Sequence, residues 1–228
     1  MAKSKKGDQQ TGEKHLTISP PNLQTAQFRI VGSAPYVQNR FSAKAKEEMM
    51  ATQMAGSKTK KGKKEEKEPK DFDACYRDCM YQATDGWRGI PAASFRCAMV
   101  SACKLCNFVM THAKLSVFVE ADGFDEAESI PLVRIVKGEP EKVVMAVRLP
   151  NGKADLRARA MWRPGWEALV RVQFDADQFT LEDVANLMMR VGIQVGIGEG
   201  RPDSRKSCGL GWGLFKLSES KEIKHETG

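Results

Sequence analysis

Between Gln24 and Val31 apolar and polar residues alternate, with Ala26, Phe28 and Ile30 on one side of an extended chain. That alternation predicts a strand. Residues 40–55, rich in Ala, Lys, Glu and Met, predict a short helix or arm, and DFDACYRDCMYQ (71–82) a second helical piece capped by Asp71 or Asp73. The clearest helix is IPAASFRCAMVSACKLC (90–106): Pro91 suits its first turn, and Phe95, Ala98, Met99, Ala102 and Cys106 recur on one face. The following AKLSVFVEADG alternates Leu115, Val117 and Val119 and stops at Asp122-Gly123, which predicts a strand through Leu115. Three short apolar runs separated by turn residues predict a small β insertion over 124–165. WEALVRVQFDA is a strong strand, Thr180 with Glu182 and Asp183 opens a helix that Gly192 can close, and LGWGLFKL is the last strand. Without its insertions the order is β-α-β-β-α-β, an α+β class of ferredoxin-like or RNA-recognition type, with the helices at 91–106 and 180–191 expected on one face of an antiparallel sheet.

Composition bounds this picture. The chain has 228 residues, 41% of them hydrophobic and 29% charged, which suits one folded domain over 1–228 with sizeable insertions. No run approaches the roughly 18 apolar residues of a membrane span, and the start lacks the apolar stretch of a secretory signal, so a soluble cytoplasmic protein without a membrane partner is expected. The net charge of +7 is uneven: residues 1–70 hold 15 Lys/Arg against 7 Asp/Glu, and residues 71–228 hold 21 against 22. A polyanion is therefore expected against the first third. Within it, Lys58 to Lys70 has no apolar anchor and reads as mobile. The six cysteines are expected to be reduced. Cys75/Cys79 and Cys103/Cys106 have the spacing of zinc ligand pairs, but both fall in helical patterns without glycine-rich knuckles, so no metal and no cofactor is assigned.

Two segments carry candidate chemistry. GIGEGRPDSRKSCGLGWG (196–213) interleaves glycines with cations, and its free amides and charges suit phosphate oxygens. Its candidate contacts are Gly198, Gly200, Arg201, Ser204, Arg205 and Lys206. No GK[ST] follows, and the loop lies after a helix and before a strand, which excludes a nucleotide P-loop and opposes a dinucleotide fingerprint. The second segment is the helix start after Gly89, whose unsatisfied amides, with Ser94 and Arg96 close by, point toward an anion. Arg40, Lys44 and Lys46, just after the first strand, complete a candidate groove along a sugar-phosphate backbone. Trp162, Trp166 and Trp212 fit core packing better than base stacking. His15, His112 and His225 are dispersed, so no catalytic residue is assigned.

The residues Ile90, Pro91, Ser94, Phe95, Arg96, Ala98 and Met99, with Gly196, Gly198, Gly209, Gly211, Gly213 and Phe215, resemble the two signatures of the RAMP superfamily, the RNA-recognition-fold subunits of CRISPR effector complexes. The opening LTISPPNLQTAQFRIVGSAPYV is similar to that family's first strand and following Gly-x-x-Pro segment. Ala92 and Ala93 stand where the family carries Gly-Ser, and Cys97 where it commonly carries Gly. The resemblance implies a palm with a thumb-like basic insertion at 41–83 and a β insertion at 124–165. It also implies binding to single-stranded, guide-like RNA, head-to-tail homo-oligomers along that strand, pairing with a complementary target strand, and contact with other effector subunits. A single-stranded DNA- or RNA-binding or annealing protein of a phage or mobile element is the alternative. Some relatives cleave bound RNA with a loop aspartate, for which Asp71, Asp73, Asp78 and Asp85 are in range, so a metal-dependent endoribonuclease is the second alternative.

Overall fold

The computed structural model describes residues 18–56, 69–148, 154–203, 209–218 and 225–227. Strand β1 (Leu23–Gly32) forms where the alternation predicts it. It is flanked by β9 (Glu167–Asp175) and β10 (Phe215–Leu217), and β9 pairs in turn with β6 (Pro131–Lys137), which pairs with β3 (Gly89–Pro91); every one of these pairings is antiparallel. Three short strands extend the sheet: β4 (Val117–Val119) on β9, β5 (Gly123–Phe124) on β6, and β11 (His225–Thr227) on β1. Register places Ala26 opposite Val172, Phe28 opposite Val170 and Ile30 opposite Ala168, all buried. One face of the sheet is thus continuously apolar, and it needs a cover.

The cover is α3 (Ala92–Ala102) and α5 (Leu181–Arg190), which touch each other and share one core with that face. The helical spacing of Phe95, Ala98, Met99 and Ala102 buries all four, while Cys106, in a 3-10 turn past the helix, is exposed. α5 starts with a reciprocal cap: Thr180 Oγ1 accepts from the Asp183 amide at 3.1 Å, and Asp183 accepts from the Thr180 amide at 2.9 Å. The predicted stop at Gly192 is not used. A π-turn (Val191–Val195) carries the helix on to Gly196, because Gly192 lies under β10, where a Cβ would sit 2.3 Å from the Phe215 carbonyl oxygen. Gly192 marks a close approach rather than an end.

Two other segments differ from the sequence reading. Residues 110–116 form helix α4 (Met110–Ser116) rather than strand: Ala113 and Ser116, three apart, turn inward and Leu115 is exposed, so its alternation with Val117 and Val119 is a coincidence at a helix-to-strand junction. The expected 124–165 insertion divides. β6 hydrogen-bonds into the central sheet, whereas β7 (Pro140–Arg148) and β8 (Ala154–Trp162) form a hairpin whose second edge takes β2 (Tyr36–Gln38). Trp162 and Trp166 are core residues at the junction of the two sheets.

The 41–83 segment opens with α1 (Ala43–Ala55), capped by Ser42, with Met49, Met50 and Met54 exposed. It returns through α2 (Phe72–Asp78), capped by Asp71, which packs on β8. Of the run expected to be mobile, residues 58–68 lie outside the described residues. At its end Lys70 is tied to β8, its Nζ 2.9 Å from Asp155 Oδ1.

Candidate nucleic-acid interface

The two motifs, more than a hundred residues apart in sequence, meet on β2. Its three residues are all buried, with the Tyr36 ring 5.4 Å from both Trp162 and Trp166. Burial pushes the Tyr36 phenol well above its ordinary pKa, so it stays a neutral donor and acceptor. On one side Gln38 Nε2 donates to the Gly89 carbonyl at 2.6 Å and to Tyr36 Oη at 3.0 Å, while its Oε1 accepts from the Tyr81 amide at 3.0 Å. This fixes the strand that runs into the α3 N-terminus. On the other side the Glu199 amide donates to Val37 O at 3.0 Å and the Gly213 amide to Pro35 O at 2.7 Å. The glycine loop closes on itself as well, Ile197 to Gly213 at 3.1 Å and Trp212 to Gly200 at 3.2 Å. Gly198 has φ +75°, and a Cβ there would lie 2.7 Å from both Val37 O and the Tyr36 ring, so only glycine permits the loop to seat on β2.

The candidate contacts fall into four groups. Gly198, Gly200 and Arg201 lie in this seated loop, with Arg201 Nη1 turned back onto the Gly198 carbonyl at 2.9 Å. Ser94 is half-buried in the first turn of α3, where Pro91 occupies the cap position and no side chain caps the amides. Ser204, Arg205 and Lys206 lie outside the described residues.

The remaining cations are engaged by the protein itself. Arg40 is only 17% exposed, 3.5 Å from Asp125 Oδ2 and 4.0 Å from Glu128 Oε1, and its guanidinium lies near the Tyr81 ring. Lys46 pairs with Glu128, and Lys44 shares the first turn of α1. These contacts pin the root of the arm to the 125–128 turn. Arg96 Nε donates to Val117 O at 3.1 Å, its Nη2 to Lys114 O, and its guanidinium lies 5.3 Å over the Phe118 ring. It clasps the end of α4 to α3. One turn into the helix, its side chain faces the end of α4.

Sequence reading missed Arg159 of β8. This residue is buried at 6% exposure, with Nε 2.5 Å from Glu199 Oε2 in the glycine loop and Nη1 3.1 Å from the Ala158 carbonyl. Nothing in KADLRARAMW distinguishes Arg159 from Arg157; only the packing of β2 and the loop over one of them does. The sheet face opposite the helices carries ion pairs: Glu167 bridges Arg29 at 2.9 Å and Lys137 at 2.8 Å, and Arg171 bridges Glu120 and Asp122 at 3.0 Å each. The Lys137 hydrogen bond, with Arg29, holds the Glu167 carboxyl below its ordinary pKa. Phe118, opposite Gln173, lies under Arg96.

Of the loop aspartates, Asp71 accepts from the Asp73 and Ala74 amides, which lowers its pKa, and Asp73 pairs with Lys142. Asp78 is half-buried and Asp85 exposed. Cys79 and Cys103 are buried, burial raises both thiols, and among the described residues no group of three or more His, Cys, Asp or Glu could hold a metal ion. The described residues carry 21 Lys/Arg and 22 Asp/Glu of the chain's 36 and 29, so the positive excess resides in the segments outside them. No protein-family model matches the chain, and no curated protein matches it. Among the described residues no helix is long and apolar enough to cross a membrane.

Proposed function

We propose that the core is a ferredoxin-like, RNA-recognition-type fold and that the protein binds single-stranded, guide-like RNA along its sugar-phosphate backbone, polymerising head-to-tail as the backbone subunit of a CRISPR-type complex. The observation that carries this reading is the meeting of the glycine loop and the α3 entry strand on the two sides of β2. Amides of a glycine loop and of an uncapped helix start are donors for phosphate oxygens and carry no base information. The strand order β10-β1-β9-β6, with α3 and α5 on one face, supports the fold assignment. The ion-paired opposite face disfavours base stacking on the sheet, which directs the strand to the loop edge.

The test is mass photometry and fluorescence anisotropy with labelled single-stranded RNA of increasing length. Protomer number is expected to climb in even steps with length, and affinity to fall steeply with salt. A stoichiometry fixed at one removes the filament. Failure to bind RNA, with retention of single-stranded DNA of the same sequence, replaces this reading with the phage-type annealing protein.

A further inference from the structure

We propose that Arg159 is the cationic floor of a phosphate site and that Glu199, in the glycine loop, occupies that site until a strand phosphate displaces it. A guanidinium offers five N–H donors, and its Nε and Nη2 edge is a fork that matches two oxygens of one oxyanion. Glu199 takes only one tine, through Nε at 2.5 Å. Nη1 is used by the Ala158 carbonyl, and Nη2, buried, has no hydrogen-bond partner among the described residues. A buried guanidinium with an idle edge is costly to keep, and a tetrahedral oxyanion on Nε and Nη2 together satisfies it where the present carboxylate does not.

The location fits a displaceable carboxylate. The Arg159 side chain is 7% exposed and that of Glu199 26%, so of the pair the carboxylate is the one more open to solvent. Glu199 is flanked by Gly198 and Gly200 and hangs from β2 by its own amide, so its side chain can leave without releasing the loop. A carboxylate in a loop offered to phosphate is otherwise a like-charge penalty; paired to Arg159 it is a stand-in for the anion. The ligand class is a phosphate monoanion or dianion, supplied by the single strand proposed above or by free phosphate. The identity of the strand rests on that reading, whereas the site itself does not.

The experiment uses the full chain as wild type, E199Q, and the double variant E199Q/R159M, whose apolar replacement avoids stranding a buried charge. E199Q is expected to bind single-stranded RNA about tenfold more tightly, since the phosphate no longer has to displace a carboxylate, and the double variant to lose about 0.7 from the slope of log affinity against log salt, one phosphate fewer neutralised. Inorganic phosphate, compared with chloride at equal ionic strength, is expected to raise the melting temperature of E199Q more than that of wild type, and to lose that advantage in the double variant. Where wild type binds RNA, folded E199Q with unchanged or weaker affinity overturns the proposal; equal phosphate stabilisation of E199Q and the double variant overturns it in every case. If wild type retains no RNA while phosphate still stabilises E199Q alone, the strand-binding function falls and the Arg159 site stands.

Discussion

Replacing Gln38 by Met keeps the length of the side chain and removes every polar contact it makes. Gln38 is 2% exposed, and its amide joins three segments: β2, the Tyr81 backbone and the Gly89 carbonyl that precedes α3. The Tyr36 hydroxyl can rotate to seek another partner, so the cost falls on the two backbone groups. Each buried group left without its partner costs about 1–3 kcal/mol, and the added apolar burial of Met offsets part of that, so Q38M is expected to lose about 2–4 kcal/mol. Against a total of about 5–15 kcal/mol for an ordinary domain this is a large fraction. Urea unfolding followed by tryptophan fluorescence reads it directly, because Trp162 and Trp166 flank Tyr36 in the same cluster. The midpoint should fall with the slope unchanged, since the surface exposed on unfolding is the same. A loss under about 1 kcal/mol refutes the reasoning: β2 would then not depend on Gln38 to join the two motifs.

Arg96→Met is expected to lower stability by about 1–2 kcal/mol, through the Val117 and Lys114 carbonyls it serves, and to leave the salt slope of RNA binding unchanged. A slope reduced by about 0.7 in the folded variant would restore Arg96 to the strand contacts. Asp183→Asn is expected to cost about 0.3–1 kcal/mol at neutral pH, as the α5 N-terminus loses the carboxylate that accepts from the Thr180 amide and hydroxyl. Its hydrogen bonds with Thr180 depress the Asp183 pKa in the folded state, so that stabilisation is complete above the unfolded value near about 4 and is lost as pH falls through the folded one. Stability profiles by circular dichroism should therefore show a shallower acid limb for D183N than for wild type, and parallel limbs would disprove the role of the carboxylate.

The elements legible in the sequence were those whose periodicity reflects a single neighbour. β1 and β9 alternate because each has one face on the helices, and α3 and α5 repeat at helical spacing because each lays one stripe on the sheet. The Thr180–Asp183 cap and the Asp71 cap are local in the chain, so their residue types were enough. α4 is not legible because a seven-residue helix leading into a three-residue strand leaves too few positions for either period to register.

What only the tertiary structure decided is where the polar groups spend their charge and hydrogen bonds. β2 is three residues long and carries no pattern, yet it is the place where the glycine loop and the α3 entry strand meet. Arg40 and Arg96 look like free cations in a linear reading, and each is bound to a carboxylate or carbonyl that the fold brings from another element, while Arg201 turns back onto its own loop. Arg159 and Arg157 stand two apart on one strand, and packing buries one of them with an unused edge. Sequence determines which surfaces must be covered, because burial of apolar area is set by residue type and period. It does not determine which cation remains available, because for Arg40, Arg96 and Arg159 that depends on partners on other elements, whose distance is fixed only when the chain closes.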